Sequence, residues 1–368
     1  MSISQRRKRL FIVLALAAGV VGAAGVAAVG ATLDAYRYYR AHQSNILGAS
    51  FIMEDPVVGY VQRPHVHNRY TSAPVYDVYT DDLGARVARP GVRSPRKVDL
   101  LALGDSFTWG HGVQAESTYV NRLAEAKRLT ASNVALASYG LTTSYLSFRK
   151  FSFLEPRIVI FGFIEDNITR ALQPCAPSLS PYCRAVPFID FDAGGNPFIH
   201  PPEYRSPDYY EYMQSVIMDH AFGWNDIAWG LKRDRLILSG NDSDGINARH
   251  SGYVNDSAAR QKAVEFIVAN LVKDVLGHHA VLIIVHIPSM RTVTPLPPEF
   301  ASIMPKWVDN DRVFLVDTAK TFDAFVKENG ARPLMAGAVD AHPSELAHEM
   351  IAHDIAPVID QILATPRP

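Results

Sequence analysis

Two short segments far apart in the chain hold the residue types that a nucleophilic site needs. In Leu101–Gly110 (LALGDSFTWG), Ser106 closes a Gly-Asp-Ser sequence just after an apolar run, and in residues 337–344 (GAVDAHPS), Asp340 stands two residues before His342. A serine hydroxyl is a weak nucleophile that needs a base, and an imidazole oriented by a carboxylate can serve as one. Taken alone, each segment is also typical of a helix-capping turn, so the elements that position them decide between the two interpretations.

Apolar segments alternate with helical ones over most of the chain. Strands are predicted at residues 99–103, 133–137, 157–163, 280–287 and 313–316, and helices at about 118–129 and 257–276. This alternation is typical of a parallel sheet covered on both faces, in which ligands bind beyond the carboxyl ends of the strands. Ser106 follows the first of these strands and is therefore expected at the ligand-binding edge.

In order and spacing, the segments resemble the motifs of the SGNH (GDSL-type) hydrolase superfamily. The block around Ser106 looks like the first motif, Asn133–Gly140 (NVALASYG) the second, and Asp340–Pro343 with Glu345–Ala352 the last motif and its trailing helix. The resemblance covers about residues 76–360. It implies a flavodoxin-like three-layer α/β/α sandwich with about five parallel strands. It also implies a triad of Ser106, His342 and Asp340 that requires no metal or organic cofactor.

The resemblance also implies an oxyanion hole made by the N–H groups of Ser106 and Gly140 and by an asparagine amide. The family's third motif usually ends in Asn-Asp after the third strand, whereas this chain reads GFIEDNITR, with Asp166 at the expected asparagine and Asn167 one position later. A carboxylate would repel an oxyanion, so we assign the amide to Asn167 and keep Asp166 as the alternative position for the motif. Losing one such donor typically costs about 10²–10³ in rate.

The expected activity is serine-dependent hydrolysis of carboxylic acyl or acetyl esters through an acyl-enzyme. The last motif reads Asp340-x-His342 rather than the more common Asp-x-x-His, a shorter form familiar among envelope relatives that act on polysaccharide acyl groups. Asp317, after the fifth strand, is the alternative partner for His342. Two further functions stay open: O-acyl transfer to an exported polysaccharide, and a non-catalytic SGNH-like module that binds a glycan or a partner.

The N-terminus predicts a membrane anchor. Residues 6–9 are Arg-Arg-Lys-Arg, and residues 10–33 then carry no charge for 24 residues, long enough for a helix to cross the ~30 Å hydrocarbon core. Basic residues stay cytoplasmic, so residues 1–9 should form a cytoplasmic tail and the rest should be extracytoplasmic, as in a periplasm. A signal peptide cleaved near residues 29–31 is the alternative. The formal net charge of −1 gives no electrostatic support for nucleic-acid binding.

Three further segments complete the organisation. Residues 34–95 are expected to form a stalk and a small β addition, and residues 96–362 the catalytic domain. Residues 171–255 interrupt the strand–helix alternation and form either a lid or a surface insertion. Within them, Cys175 and Cys183 are expected to form a disulfide in an oxidising compartment, whereas two free thiols remain the alternative.

Overall fold

A computed structural model describes residues 3–42, 46–47, 50–71, 74–177, 181–202, 207–213, 221–308, 311–338 and 340–365. The β-strands are, in chain order, β1 (Ile46–Leu47), β2 (Ile52–Asp55), β3 (Gly59–Gln62), β4 (His67–Tyr70), β5 (Tyr76–Thr80), β6 (Arg86–Val87), β7 (Leu100–Leu103), β8 (Ala131–Asn133), β9 (Ile158–Phe163), β10 (Cys175–Ala176), β11 (Arg184–Ala185), β12 (Phe188–Phe191), β13 (Pro197–His200), β14 (Val281–His286) and β15 (Val313–Asp317). The α-helices are α1 (Ile3–His42), α2 (Ser106–Trp109), α3 (Tyr119–Lys127), α4 (Leu141–Phe151), α5 (Asp166–Ala171), α6 (Pro207–Tyr212), α7 (Trp224–Ser239), α8 (Ser243–Ala248), α9 (Ser251–Asn255), α10 (Ser257–Gly277), α11 (Pro298–Trp307), α12 (Ala319–Asn329) and α13 (Glu345–Ala364).

One nine-stranded sheet forms the centre of the described chain, in the order β1-β4-β5-β6-β8-β7-β9-β14-β15. The five strands from β8 to β15 pair in parallel. Numbered by chain position, these five follow the order 2-1-3-4-5, which is the flavodoxin-like order. The predicted α/β sandwich with about five parallel strands is therefore confirmed, and its topological switch point lies between β7 and β9.

The strands of the parallel part alternate between two apolar cores, one on each face. Leu101 and Leu103 of β7 belong to the core that also contains side chains of α4 and α10, whereas Leu100 and Ala102 belong to the core with α3 and α13. All four are buried. Burial on both faces explains why these strands read as continuous apolar runs in the sequence.

The structure shortens one predicted strand and shows how the segment before residue 96 is built. β8 spans residues 131–133 rather than 133–137. The next residues still bond to the end of β7, through Val134 N–H to the Ala102 carbonyl and Leu136 N–H to the Gly104 carbonyl, while the Asn133 side chain accepts from the Ala135 N–H at 3.2 Å. Between residues 34 and 95, α1 continues to His42, and strands β4, β5 and β6 join the main sheet through antiparallel pairs. The β structure before residue 96 thus joins the edge of the central sheet.

The interruption at residues 171–255 contains two short hairpins, β10–β11 and β12–β13, and the helices α6 to α9. A disulfide joins Cys175 to Cys183, across the first hairpin. Helix α8 is tied to this hairpin because the Asn247 side chain bonds both the N–H and the carbonyl of Cys175.

Candidate active site

The Gly-Asp-Ser turn is shaped by close packing at the end of β7. Gly104 has φ of +145°, and a Cβ at this position would lie 2.5 Å from the Gly162 carbonyl oxygen of the neighbouring strand. Asp105 caps the short helix α2 because its Oδ1 accepts from the Phe107 N–H at 3.0 Å. Ser106 is consequently the first residue of α2, at the carboxyl end of a central strand. The glycine and the aspartate hold the turn, and the serine presents its hydroxyl.

The loop before α13 places His342 against this serine. His342 Nε2 lies 2.8 Å from Ser106 Oγ, and its Nδ1 lies 2.6 Å from Asp340 Oδ1. The His342 backbone N–H also donates to Asp340 Oδ1, at 3.0 Å. With Asp340 ionised, Nδ1 carries the proton and Nε2 is free to accept the hydroxyl proton, as a general base requires.

Asp340 remains a carboxylate at neutral pH. Partial burial raises the pKa of Asp340, but the hydrogen bond from the His342 imidazole and its charge outweigh burial and lower the pKa to about 2. Asp317, the alternative partner, instead accepts a 2.7 Å hydrogen bond from His286 across β14 and β15. The structure therefore pairs His342 with Asp340.

A second histidine contacts the same carboxylate, which the sequence reasoning did not anticipate. His111 Nε2 lies 3.5 Å from Asp340 Oδ2, and the centroids of the His111 and His342 rings are 4.4 Å apart. The Tyr76 hydroxyl lies 3.0 Å from His111 Nδ1. Burial, with the nearby His342, lowers the pKa of His111 to about 3, so this ring is neutral at neutral pH. If Tyr76 donates to Nδ1, the single ring proton is on Nε2, the nitrogen on the Asp340 side of the ring.

Of the three expected oxyanion donors, the structure leaves the Ser106 N–H without a hydrogen-bond partner among the residues it describes. The Gly140 N–H donates instead to Thr143 Oγ1, at 2.7 Å. Gly140 packs so closely on α5 that an added Cβ would lie 2.9 Å from the backbone of Arg170 and Ala171. Its lack of a side chain thus serves the approach of α5 to the site.

The Asn167 amide is directed into the protein rather than into the cleft. Its Nδ2 donates to the Tyr139 carbonyl at 2.8 Å and to Asp105 Oδ2 at 3.3 Å, and its Oδ1 accepts from the Ile164 N–H at 2.8 Å. Asn167 is 1% exposed. We predicted that this amide would point into the oxyanion hole, but the structure directs it inwards. Its hydrogen bonds join the turn after β9 to the Gly-Asp-Ser turn instead.

Arg170 faces the cleft and was missed by the sequence reasoning. Its Nη1 donates to Asp105 Oδ2 at 2.9 Å and to the Tyr139 carbonyl at 3.3 Å, and its Nη2 lies 3.3 Å from Asp166 Oδ2. The Asp105 side chain is 1% exposed, whereas that of Asp166 is 72% exposed. The available signal was the four-residue spacing of Asp166 and Arg170, which places both on one helix face.

A cleft of about 350 Å³ opens beside the serine. His342 and Asp340 line it together with mostly polar side chains. Its lining comprises Ser106, Phe107, Ile164, Glu165, Asp166, Arg170, Ser289, Thr294, Asp340, Ala341 and His342. None of these residues comes from the described part of the interruption at residues 171–255.

The two histidines and the aspartate beside Ser106 also form a set that can hold a metal ion. Ligand atoms of His111, Asp340 and His342 lie within 4.8 Å of one another. Both ring nitrogens of His342 are engaged in the hydrogen bonds described above. A cation bound by these three residues would therefore compete with the base and inhibit proton transfer.

Comparison with known proteins gave structural neighbours only. No protein-family model matches the chain, and no curated protein matches it. Among solved structures, the chain is similar to a lipolytic-type protein of the G-D-S-L family from Desulfitobacterium hafniense DCB-2, at 12% identity and a TM-score of 0.35, over 72% of this chain and 99% of that one. It is also similar to a family two carbohydrate esterase from Clostridium thermocellum in complex with cellohexaose, at 12% identity and a TM-score of 0.35, over 74% and 67% of the two chains. The first of these carries the family name that the sequence motifs resemble. At such values, the chemistry of this chain has to be inferred from its own side chains.

Proposed function

We propose that this chain is a serine-dependent esterase of the SGNH type that cleaves acyl esters through an acyl-enzyme. The observation that carries the proposal is the continuous hydrogen-bond chain from Ser106 Oγ through both nitrogens of His342 to Asp340. Nucleophile, base and orienting carboxylate stand in the order that serine hydrolysis requires. They also stand at the switch point of the sheet, where open α/β folds bind ligands.

The reaction has two steps. In the first, Ser106 Oγ bonds to the ester carbonyl carbon, its proton moves to His342 Nε2, and that proton then passes to the leaving alkoxide as the C–O bond breaks. In the second, water attacks the acyl-enzyme, gives a proton to His342, and the acid leaves as the Ser106 hydroxyl is restored. Asp340 stabilises the imidazolium in both steps and does not itself accept the proton.

The tetrahedral oxyanion needs donors that face the cleft. The Ser106 N–H at the start of α2 is one, and we assign the second role to the guanidinium of Arg170, which lines the cleft. Its positive charge is suited to a developing negative charge. Gly140 and Asn167 then act as the scaffold that holds this cation and the serine turn together.

The cleft favours a short acyl group on a hydroxylated carrier. Its volume of about 350 Å³ lies near the lower end of ligand pockets, which run from about 300 to 1,000 Å³. Glu165, Asp166, Ser289 and Thr294 offer hydrogen-bond partners for hydroxyl groups. We therefore propose acetyl or similarly short esters of a polysaccharide as substrates.

Acyl transfer is the second candidate function, and the apolar N-terminal helix favours it by placing the site at a membrane. Residues Ile12–Arg37 are long and apolar enough to span a bilayer, as a signal sequence would also be. We propose a retained anchor with the site on the extracytoplasmic side. Topology reporters fused after residue 45 and at the C-terminus should both be exported, and a cytoplasmic reading at the C-terminus would reject this orientation.

The test of the proposed function is labelling by a fluorophosphonate probe, which reacts with an activated serine. The purified protein should be labelled on Ser106, and Ser106→Ala should not be labelled although it remains folded. An absence of labelling in the folded wild-type protein would favour the non-catalytic glycan-binding or partner-binding module. Product analysis with an acyl ester and an oligosaccharide acceptor then separates hydrolysis from transfer.

A further inference from the structure

Helix α7 carries an apolar stripe on its outer face. Trp224 is 84% exposed, Leu231 56% and Leu238 89%, and Ala228 is also exposed. Spacings of four, three and seven residues place all four on one side of a helix with 3.6 residues per turn. The stripe runs for about 21 Å, from the first residue of α7 to its last turn. Only Arg235 interrupts it on that side.

The opposite side of α7 packs against the end of α1. Ala35 and Tyr39 are 3% and 5% exposed, although the side chains of α1 before residue 30 are exposed wherever they are described. A Cβ at Gly230 of α7 would lie 2.9 Å from Ala35 Cβ, so the two helices approach closely there. The Phe222 ring, just before α7, contacts Tyr36 and Tyr39 with centroid distances of 5.2 and 5.4 Å.

The packing of α7 on the end of α1 determines how far α7 lies from the centre of a bilayer that α1 spans. The candidate span is Ile12–Arg37, and the buried contacts of α1 fall on its last turn and just beyond. Residues 30–32 of α1 are half-buried, so the covered part of α1 begins within the apolar stretch. If α1 spans the membrane, α7 lies at the boundary between the acyl chains and the headgroups.

The side chains of α7 suit that position. Tryptophan is enriched at membrane interfaces, and an interfacial helix pairs apolar residues with basic ones at its polar edge. Lys232 is exposed, with its ammonium 4.3 Å from the Trp229 ring centroid. Arg235 is exposed within the stripe, and a long arginine side chain can extend its charged end to the headgroups. Basic side chains are attracted to an anionic lipid surface.

We propose that α7 is a membrane-interface helix whose stripe of Trp224, Ala228, Leu231 and Leu238 inserts among phospholipids beside the anchor. This inference rests on α1 remaining in the membrane and does not depend on the catalytic proposal. The chain would then attach at two points, the spanning helix and the interfacial helix. Two points restrict rotation of the domain about the anchor, so the cleft keeps one orientation to the lipid surface.

The test uses the tryptophan fluorescence of the full chain in phosphatidylglycerol-containing vesicles. Residues 1–42 contain no tryptophan, and the chain has four: Trp109, Trp224, Trp229 and Trp307. Lipids that carry a doxyl quencher near the headgroup should quench the fluorescence that Trp224 emits. The Trp224→Phe variant should therefore show no quenching by these lipids. The control is Trp307→Phe, which removes a half-buried tryptophan outside α7 and should leave the quenching unchanged.

Other results would each overturn the inference in a distinguishable way. Protein that does not float with the vesicles would refute the anchor, and the role of α7 with it. If the protein floats but iodide in water quenches Trp224 while doxyl lipid does not, α7 lies in solution. Protection of Trp224 from both quenchers would indicate cover by protein, such as a second copy, and cross-linking would detect it. Ester hydrolysis by Trp224→Phe is measured in parallel and should be unchanged, so a failure here is separate from a failure of the esterase proposal.

Discussion

The contact between His111 and Asp340 makes a quantitative prediction. Replacing His111 by alanine removes the donor that lies 3.5 Å from Asp340 Oδ2 and opens space beside the His342 ring. A full hydrogen bond to a charged group contributes about 1.5–3 kcal/mol, and this polar contact of 3.5 Å is longer than a normal hydrogen bond and contributes less. We therefore expect kcat for a small acyl ester such as p-nitrophenyl acetate to fall by at most about tenfold, because each 1.4 kcal/mol is a factor of ten. KM should change little, since His111 does not line the cleft.

Two further measurements separate a positioning role from a general loss of stability. Tyr76→Phe keeps both rings but removes the hydroxyl that fixes the His111 tautomer, so kcat should fall only a few-fold. The pKa of His111 lies below its unfolded value of about 6.5, so unfolding takes up a proton and the native state loses stability as pH falls from about 6.5 towards 3. His111→Ala should weaken this acid sensitivity. A folded His111→Ala variant with unchanged kcat would refute the role.

Four other predictions follow from the site and its scaffold. Ser106→Ala and His342→Ala should each lower kcat by about four to six orders of magnitude, and the double variant should be little worse than either, because the residues act as a unit. Arg170→Met should lower kcat by about 10²–10³ and also lower the melting temperature, because it leaves the buried Asp105 without its cation. Asn167→Ala should lower the melting temperature with little change in kcat; a fall of about 10²–10³ in kcat for folded Asn167→Ala would return the oxyanion role to the amide. Gly140→Ala should cost about 1–3 kcal/mol of unfolding free energy by overpacking against α5, measured by urea denaturation. Reducing the disulfide should cost about 2–3 kcal/mol on the loop-closure estimate, and unreduced mass spectrometry should first show the cross-linked peptide.

The parallel sheet was predictable because burial on both faces leaves a clear pattern. Each central strand must be apolar throughout, so runs such as residues 157–163 and 280–287 stand out against polar loops. The pairing of Ser106 with His342, which lie 236 residues apart, followed from motif order and from the meeting of strand ends at one edge. Their 2.8 Å contact agrees with that expectation in geometry, and the fluorophosphonate test decides whether it is catalytic.

The hydrogen-bond donors that face the cleft were not predictable from the sequence, because they depend on the rotation of helix α5 about its axis. The sequence after β9 shows Asp166, Asn167 and Arg170 but not where α5 begins. Each residue advances a helix by about 100°, so Asp166 and Arg170 fall on one face and Asn167 turns away from it. In the structure, Asp166 and Arg170 line the cleft. The Asn167 amide instead donates to Asp105 Oδ2 and to the Tyr139 carbonyl. A shift of a single residue in the start of α5 would rotate the helix by about 100° and turn Asn167 to the cleft in place of Asp166.

The buried Asp105 links the Arg170 guanidinium in the cleft to the turn that carries Ser106. Its carboxylate caps α2 at one oxygen and accepts from Arg170 and Asn167 at the other. A buried charge that loses its partner is strongly destabilising, so Asp105 requires Arg170 to remain beside the serine turn. The acid of the Gly-Asp-Ser sequence thus ties the turn after β7 to the helix after β9, across the switch point of the sheet. Arg170→Lys, which keeps the charge but not the planar fork of donors, should therefore retain more stability than activity.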